Sequence, residues 1–178
     1  MSINEQNVRT FVEALRGDDF TQGIGRLQTI DGENCCLGVA SHLSGTGEFV
    51  SYGEAIARTQ GQAAADSMKA RGDVMERPVF FVTRDEQGTE DGYDQFGLTP
   101  EVAKWLGVHP DDNASLFLRT KDGRDTSAAE LNDDGADFNA IADEIERNLL
   151  NPEFDYEAYE LFCIYGDDPH HRFGHEYQ

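Results

Sequence analysis

Two adjacent cysteines, Cys35 and Cys36, are the side chains in this sequence best suited by type and position to nucleophilic chemistry. They open a segment with helical spacing. A helix start presents unpaired N–H groups and the positive end of the backbone dipole, so a thiol there loses its proton more readily. A cysteine-nucleophile hydrolase built on either would need a base, with His42, His109 or a histidine of the C-terminal tail as the choices. It would also need an Asn or Asp to orient that base, and Asn132 and Asp133 are the candidates. The plainer reading is structural. Cys36 shares an apolar face with Val39 and Leu43, and free cysteine is among the most often buried residue types. His42 lies about two helical turns further along the same segment, so it points elsewhere.

Other groups could bind ligands. Gln22-Gly23-Ile24-Gly25 has the glycines of an anion-cradling loop, but such a loop belongs between a strand and a helix. Here it follows a helix, and a turn that needs glycine is the simpler account. His170, His171 and His175, with Asp167 and Asp168, are weak candidates for a transition metal. Pro169 and Gly174 break the helix that would align them, and structural metal sites usually have four ligands at clear spacing. No cofactor motif is present. Asn132 and Asp133 also precede a strong helical pattern, where Asx side chains serve as caps.

The elements that would position these groups are legible in outline. Val8, Phe11, Val12 and Leu15 recur at helical spacing over 3–16. A helix is expected over 35–43, with Asn34 as its cap and Cys36, Val39, Ala40 and Leu43 on one face. An alanine-rich helix over 54–71 has a weak apolar face and a doubtful middle at Gly61. Thr99-Pro100 opens a helix over 100–106, because proline suits the first helical position. Phe138, Ile141, Ala142, Ile145 and Leu149 form the best stripe, over 137–149. Strands are expected at 79–83 and 115–119. The expected fold is a single α+β domain, about five helices packed on a small sheet. Residues 1–150 form the globular part, and 151–178 an acidic, histidine-containing extension in which Phe154, Ala158, Leu161 and Phe162 suggest a short helix. The expected core is Val8, Phe11, Val12, Leu15, Cys36, Val39, Leu43, Phe80, Val82, Trp105, Leu106, Leu116, Leu118, Phe138, Ile141 and Ile145.

Charge narrows the partners. The 178 residues carry 35 acids and 14 Lys or Arg, a net charge of −21. Residues 84–150 hold 17 acids against 6 bases, so the acidity is concentrated after the first strand. Such a surface repels nucleic-acid phosphates and anionic lipid, and it favours cations and basic proteins. Asp outnumbers Glu and only three bases are lysine, a halophilic-like composition that also keeps a protein hydrated in high salt. The three cysteines make a poor disulfide framework, and the N-terminus has no signal-peptide apolar run. Both point to a reducing cytoplasm.

Several short motifs occur in a definite order: Gln22-Gly23-x-Gly25-x-Leu27, then Cys35-Cys36-Leu37-Gly38-Val39-Ala40, then Leu98-Thr99-Pro100-x-Val102-x-x-Trp105-Leu106-Gly107. Leu131-Asn132-Asp133 and Phe138-x-x-Ile141-Ala142-Asp143-x-Ile145-Glu146 follow. Over roughly residues 8–147 this resembles a group of small uncharacterised proteins encoded by tailed viruses of bacteria and archaea. The segment from about Gly53 to Arg77 and the tail after Glu146 lie outside the resemblance. It implies a viral origin and no particular activity. The expected function is therefore that of a viral accessory protein in the host cytoplasm, binding a host protein through a basic surface on that partner. A virion structural component is the first alternative, and a hydrolase using Cys35 or Cys36 the second.

Overall fold

A computed structural model describes residues 2–72, 79–84, 90–110 and 114–166. Its first helix, α1 (Glu5–Arg16), starts where Asn4 accepts a hydrogen bond from the Asn7 N–H and buries the expected stripe of Val8, Phe11, Val12 and Leu15. It packs along α7 (Phe138–Leu149), whose Phe138, Ile141, Ala142, Ile145 and Leu149 face inward. Arg16 clamps the two helices at the surface, reaching Asp143 at 2.6 Å and Glu146 at 2.7 Å. The cap of α7 is Asp137, which accepts from the Ala140 N–H. Asn132 and Asp133 are not that cap. They close a short helix that the periodicity does not reveal, α6 (Ala128–Asp133), which opens with a capping box between Ser127 and Glu130.

Between these helices the chain forms α2 (Cys36–Ser44), β1 (Gly47–Ser51), α3 (Tyr52–Gln60), α4 (Gln62–Ala70), β2 (Val79–Arg84), β3 (Glu90–Asp94) and α5 (Pro100–Leu106). The alanine-rich segment is thus two helices, because Gly61 turns the chain at a φ of +89. β4 (Phe117–Arg119), β5 (Asp125–Ser127) and, after α7, α8 (Tyr156–Tyr165) complete the order.

The fold is α+β, a single domain with a short C-terminal extension, containing eight helices among the described residues. Its strands form two antiparallel sheets. One is β1-β2-β3 and the other β4-β5, so the two expected strands do not share a sheet. β2 divides the apolar interior, since successive side chains point to opposite faces. Phe81 enters the main core with α1, α2, α5 and α7, while Val82 joins Val50, Ala55 and the half-buried Phe80 beneath α3. Trp105 and Leu43 pack at the margin of the main core rather than inside it. Arg58 ties the smaller unit together, reaching Glu48 and Glu90 at 2.9 Å and also pairing with Glu54.

The extension docks through α8. Tyr156 donates its hydroxyl to the Phe117 carbonyl at 2.8 Å, and Tyr159 donates to that of Leu118 at 2.7 Å. Glu160 accepts from the His109 N–H at 2.8 Å. Asn148 binds the opposite polar pair of β4, accepting from Arg119 N and donating to Arg119 O.

Candidate functional site

Helix α2 begins at the crossing of three segments, and its two cysteines lie there. Cys35 rather than Asn34 is the N-cap, with the extended backbone of a cap residue and no side-chain cap bond. Its own N–H donates to the Leu27 carbonyl at 3.2 Å. The helix then runs against residue 27 so closely that a Cβ on Gly38 would lie 1.8 Å from the Leu27 oxygen. Only glycine permits that approach, and it is the reason the helix start sits so deep.

Asn132 supplies what the cap lacks. It is fully buried, and its Oδ1 accepts from the Cys36 N–H at 3.2 Å, an otherwise free donor of the first turn of α2. Its Nδ2 donates to the Gly23 carbonyl at 2.9 Å. Gln22 completes the network. Its Nε2 donates to Asn132 Oδ1 at 3.2 Å and to the Ala136 carbonyl at 2.7 Å, while its Oε1 accepts from Phe138 N at 3.1 Å. Asp133 lies outside, exposed, and accepts from the Gly25 N–H at 2.9 Å. The motifs QGxGxL, CCLGVA and LND, far apart in sequence, therefore meet through side-chain amides and backbone groups. The part played by Gln22 escapes sequence reasoning, because glutamine has no positional signature.

The electrostatics oppose a reactive thiol. Burial pushes the Cys35 thiol up to about 11, and the nearby N–H groups of Gly38 and Leu37 only partly counter it. Burial also drives the Cys36 thiol well above its ordinary value, with a Cys35 anion next to it as a further penalty. Cys36 Sγ donates to the Ala128 carbonyl at 3.3 Å, a contact that uses the proton a nucleophile must lose. Among the described residues no hydrogen bond joins a histidine to either thiol. His42 instead packs its ring against Phe49 at 4.6 Å and Phe20 at 5.5 Å, and this desolvation lowers its pKa. The Gln28 side-chain nitrogen lies 2.9 Å from His42 Nε2 and donates to it when that nitrogen carries no proton. His109 meets α8, with its ring edge-on to Tyr165. Asn132 and Asp133 are therefore tied to backbone N–H groups rather than to an imidazole.

The glycine loop is likewise committed. Gly23 N donates to the Asn34 carbonyl at 2.7 Å and Gly25 N to Asp133, so two of the donors that would cradle an anion already have partners. Cys35, Cys36 and Cys163 are free thiols. No group of three or more His, Cys, Asp or Glu that could hold a metal occurs among the described residues. His170, His171 and His175 lie outside the described residues. No helix among the described residues is long and apolar enough to cross a membrane.

What the geometry defines is an α+β domain in which the buried polar cluster of Gln22 and Asn132 joins backbone to backbone. The chain belongs to the DUF8296 family, a domain of unknown function, whose profile matches residues 3–149. That span ends at the last residue of α7, so α8 lies beyond it. No curated protein and no solved structure matches the chain.

Proposed function

We propose that this chain is a viral accessory protein that acts by binding a basic surface of another protein, a host factor in the infected cell. The observation that carries the reading is the uncompensated charge. The net −21 is what remains after all 14 Lys and Arg are counted against the 35 acids, and Arg9, Arg16, Arg58, Arg119 and Arg147 are each already paired with carboxylates. Carboxylates such as the exposed Asp31 and Asp133 and the half-buried Glu33, which have no ion pair among the described residues, can replace phosphates on a host surface that normally holds nucleic acid. The sealed thiols support a binding role over a nucleophilic one, since a thiol held protonated at neutral pH attacks slowly. The viral setting rests on the ordered motifs that resemble proteins of tailed viruses.

The test is affinity purification of the tagged chain from infected cells, with a salt titration of any purified pair. Recovery of one host protein at fixed stoichiometry, with affinity falling steeply as salt rises, is expected. Stoichiometric presence in purified virus particles, or turnover of a small molecule by the isolated chain, would overturn the reading.

A further inference from the structure

The net charge sets the sign of a partner but not the place where it sits. Beside the glycine loop lies an open cleft of about 360 Å³ lined in part by Ile24, Arg26, Ile30, Asp31, Glu33 and Val79. That is near the lower end of ligand-sized cavities, roughly 300–1,000 Å³, enough for one or two side chains rather than a cofactor. Its apolar residues are unusually bare. Ile24 is 60% exposed and Ile30 37%, and Phe96, which meets the lining residue Arg26, is 59% exposed. Phe96 joins the same surface through Arg26, whose guanidinium lies 5.5 Å over the Phe96 ring and donates to Gln95 Oε1 at 2.5 Å.

Ile24 is exposed but not loosely held. On one side Gly23 donates to Asn34 and accepts from Asn132. On the other, Gly25 donates to Asp133, and Leu27 N donates to the Gln95 carbonyl at 2.8 Å. The buried network of Gln22 and Asn132 thus fixes a loop whose outermost side chain is a bare isoleucine. An apolar anchor held in place before binding loses little entropy when a partner covers it. Carboxylates flank it. Asp31 and Glu33 line the cleft, Asp133 lies against Gly25, and none of the three has an ion pair among the described residues. Arg26, the one cation among the cleft's described lining residues, is engaged by Phe96 and Gln95.

Resting on the protein-binding reading above, we propose that this cleft docks a linear segment of the partner in which a bulky apolar residue is flanked by Lys or Arg. The apolar side chain packs on Ile24 and Ile30, and the flanking cations meet Asp31, Glu33 and Asp133. A second copy of this chain, also at −21, is repelled from the same face, as is nucleic acid.

A library of random linear peptides displayed on a carrier and selected on the intact chain at low salt supplies the probe. Selected peptides, synthesised with a fluorescent label, are then titrated by anisotropy. The expected consensus is an apolar residue between basic ones. Ile24→Ser should weaken binding about tenfold or more, the loss typical of a central anchor. Asp31→Asn with Glu33→Gln should weaken it several-fold and flatten its salt dependence, while Glu13→Gln on α1 should change nothing. Phe96→Ser serves as the second anchor variant, and circular dichroism checks that each variant is folded. Basic peptides that bind with Ile24→Ser, Phe96→Ser and the double variant all unchanged would overturn the cleft and leave the protein-binding reading standing. Selection of no basic peptide at all would overturn both. Self-association that Ile24→Ser abolishes would assign the cleft to a second copy and overturn the proposed partner.

Discussion

Asn132→Ala separates a structural role for the buried network from a catalytic one. The side chain is fully buried and makes three hydrogen bonds, accepting from Cys36 N and Gln22 Nε2 and donating to the Gly23 carbonyl. A neutral hydrogen bond contributes about 1 kcal/mol net, but a buried partner left unsatisfied costs about 1–3 kcal/mol. Truncation strands the Cys36 N–H and the Gly23 carbonyl together. Gln22 keeps its bond to Ala136, so its amide is not stranded. The expected loss is about 3–5 kcal/mol, a large share of the roughly 5–15 kcal/mol that holds a typical domain together. For a chain of this size the melting temperature should fall by roughly 10 °C. Urea unfolding followed through the single tryptophan, Trp105, measures it. Asp133→Ala is the control, because that carboxylate is exposed and makes one bond to Gly25 N; it should cost within about 1 kcal/mol. Asn132→Ala combined with Gln22→Ala should lose less than the sum of the two singles, since both remove the same contact. If Asn132→Ala cost under about 1 kcal/mol, or no more than Asp133→Ala, the account of the network would be wrong.

Three further outcomes follow from the same geometry. Iodoacetamide at neutral pH should label native Cys35 and Cys36 far more slowly than the unfolded chain, because burial raises Cys35 to about 11 and holds Cys36 well above its ordinary value; rapid native labelling would restore the nucleophile. Gly38→Ala should destabilise strongly, by about 3 kcal/mol or more, since the new methyl meets the Leu27 carbonyl at 1.8 Å and both sides of the clash are backbone; a near-neutral result in thermal melts would refute the close approach. His42 should titrate below its ordinary 6.5 in an NMR pH series, because its ring packs on Phe20 and Phe49. Its folded pKa is depressed, so its contribution to stability is present above 6.5 and is lost as pH falls through the folded value; a midpoint at or above 6.5 would contradict this.

The sequence alone determined the helices with a strong apolar period, since spacing at three and four residues obliges one face to be buried. α1, α5 and α7 lie where Val8 to Leu15, Val102 to Leu106 and Phe138 to Leu149 place them. The glycine, cysteine and Leu-Asn-Asp motifs stood out in the sequence only as an ordered set, and it is the fold that joins them through Gln22 and Asn132. The sequence did not reveal α6, whose six residues are too few for a period, nor the break at Gly61, which depends on a positive φ. What only the tertiary structure shows is the surroundings of Cys35, Cys36, Asn132 and Asp133. A cysteine at a helix start reads as activated while its surroundings are unknown, because the dipole is local and legible. The desolvation that outweighs it comes from segments distant in sequence, and Asn132 reaches Cys36 across 96 positions. Ile24 shows the converse. It reads as one more apolar residue in a turn, and only the fold shows it held rigid and left bare.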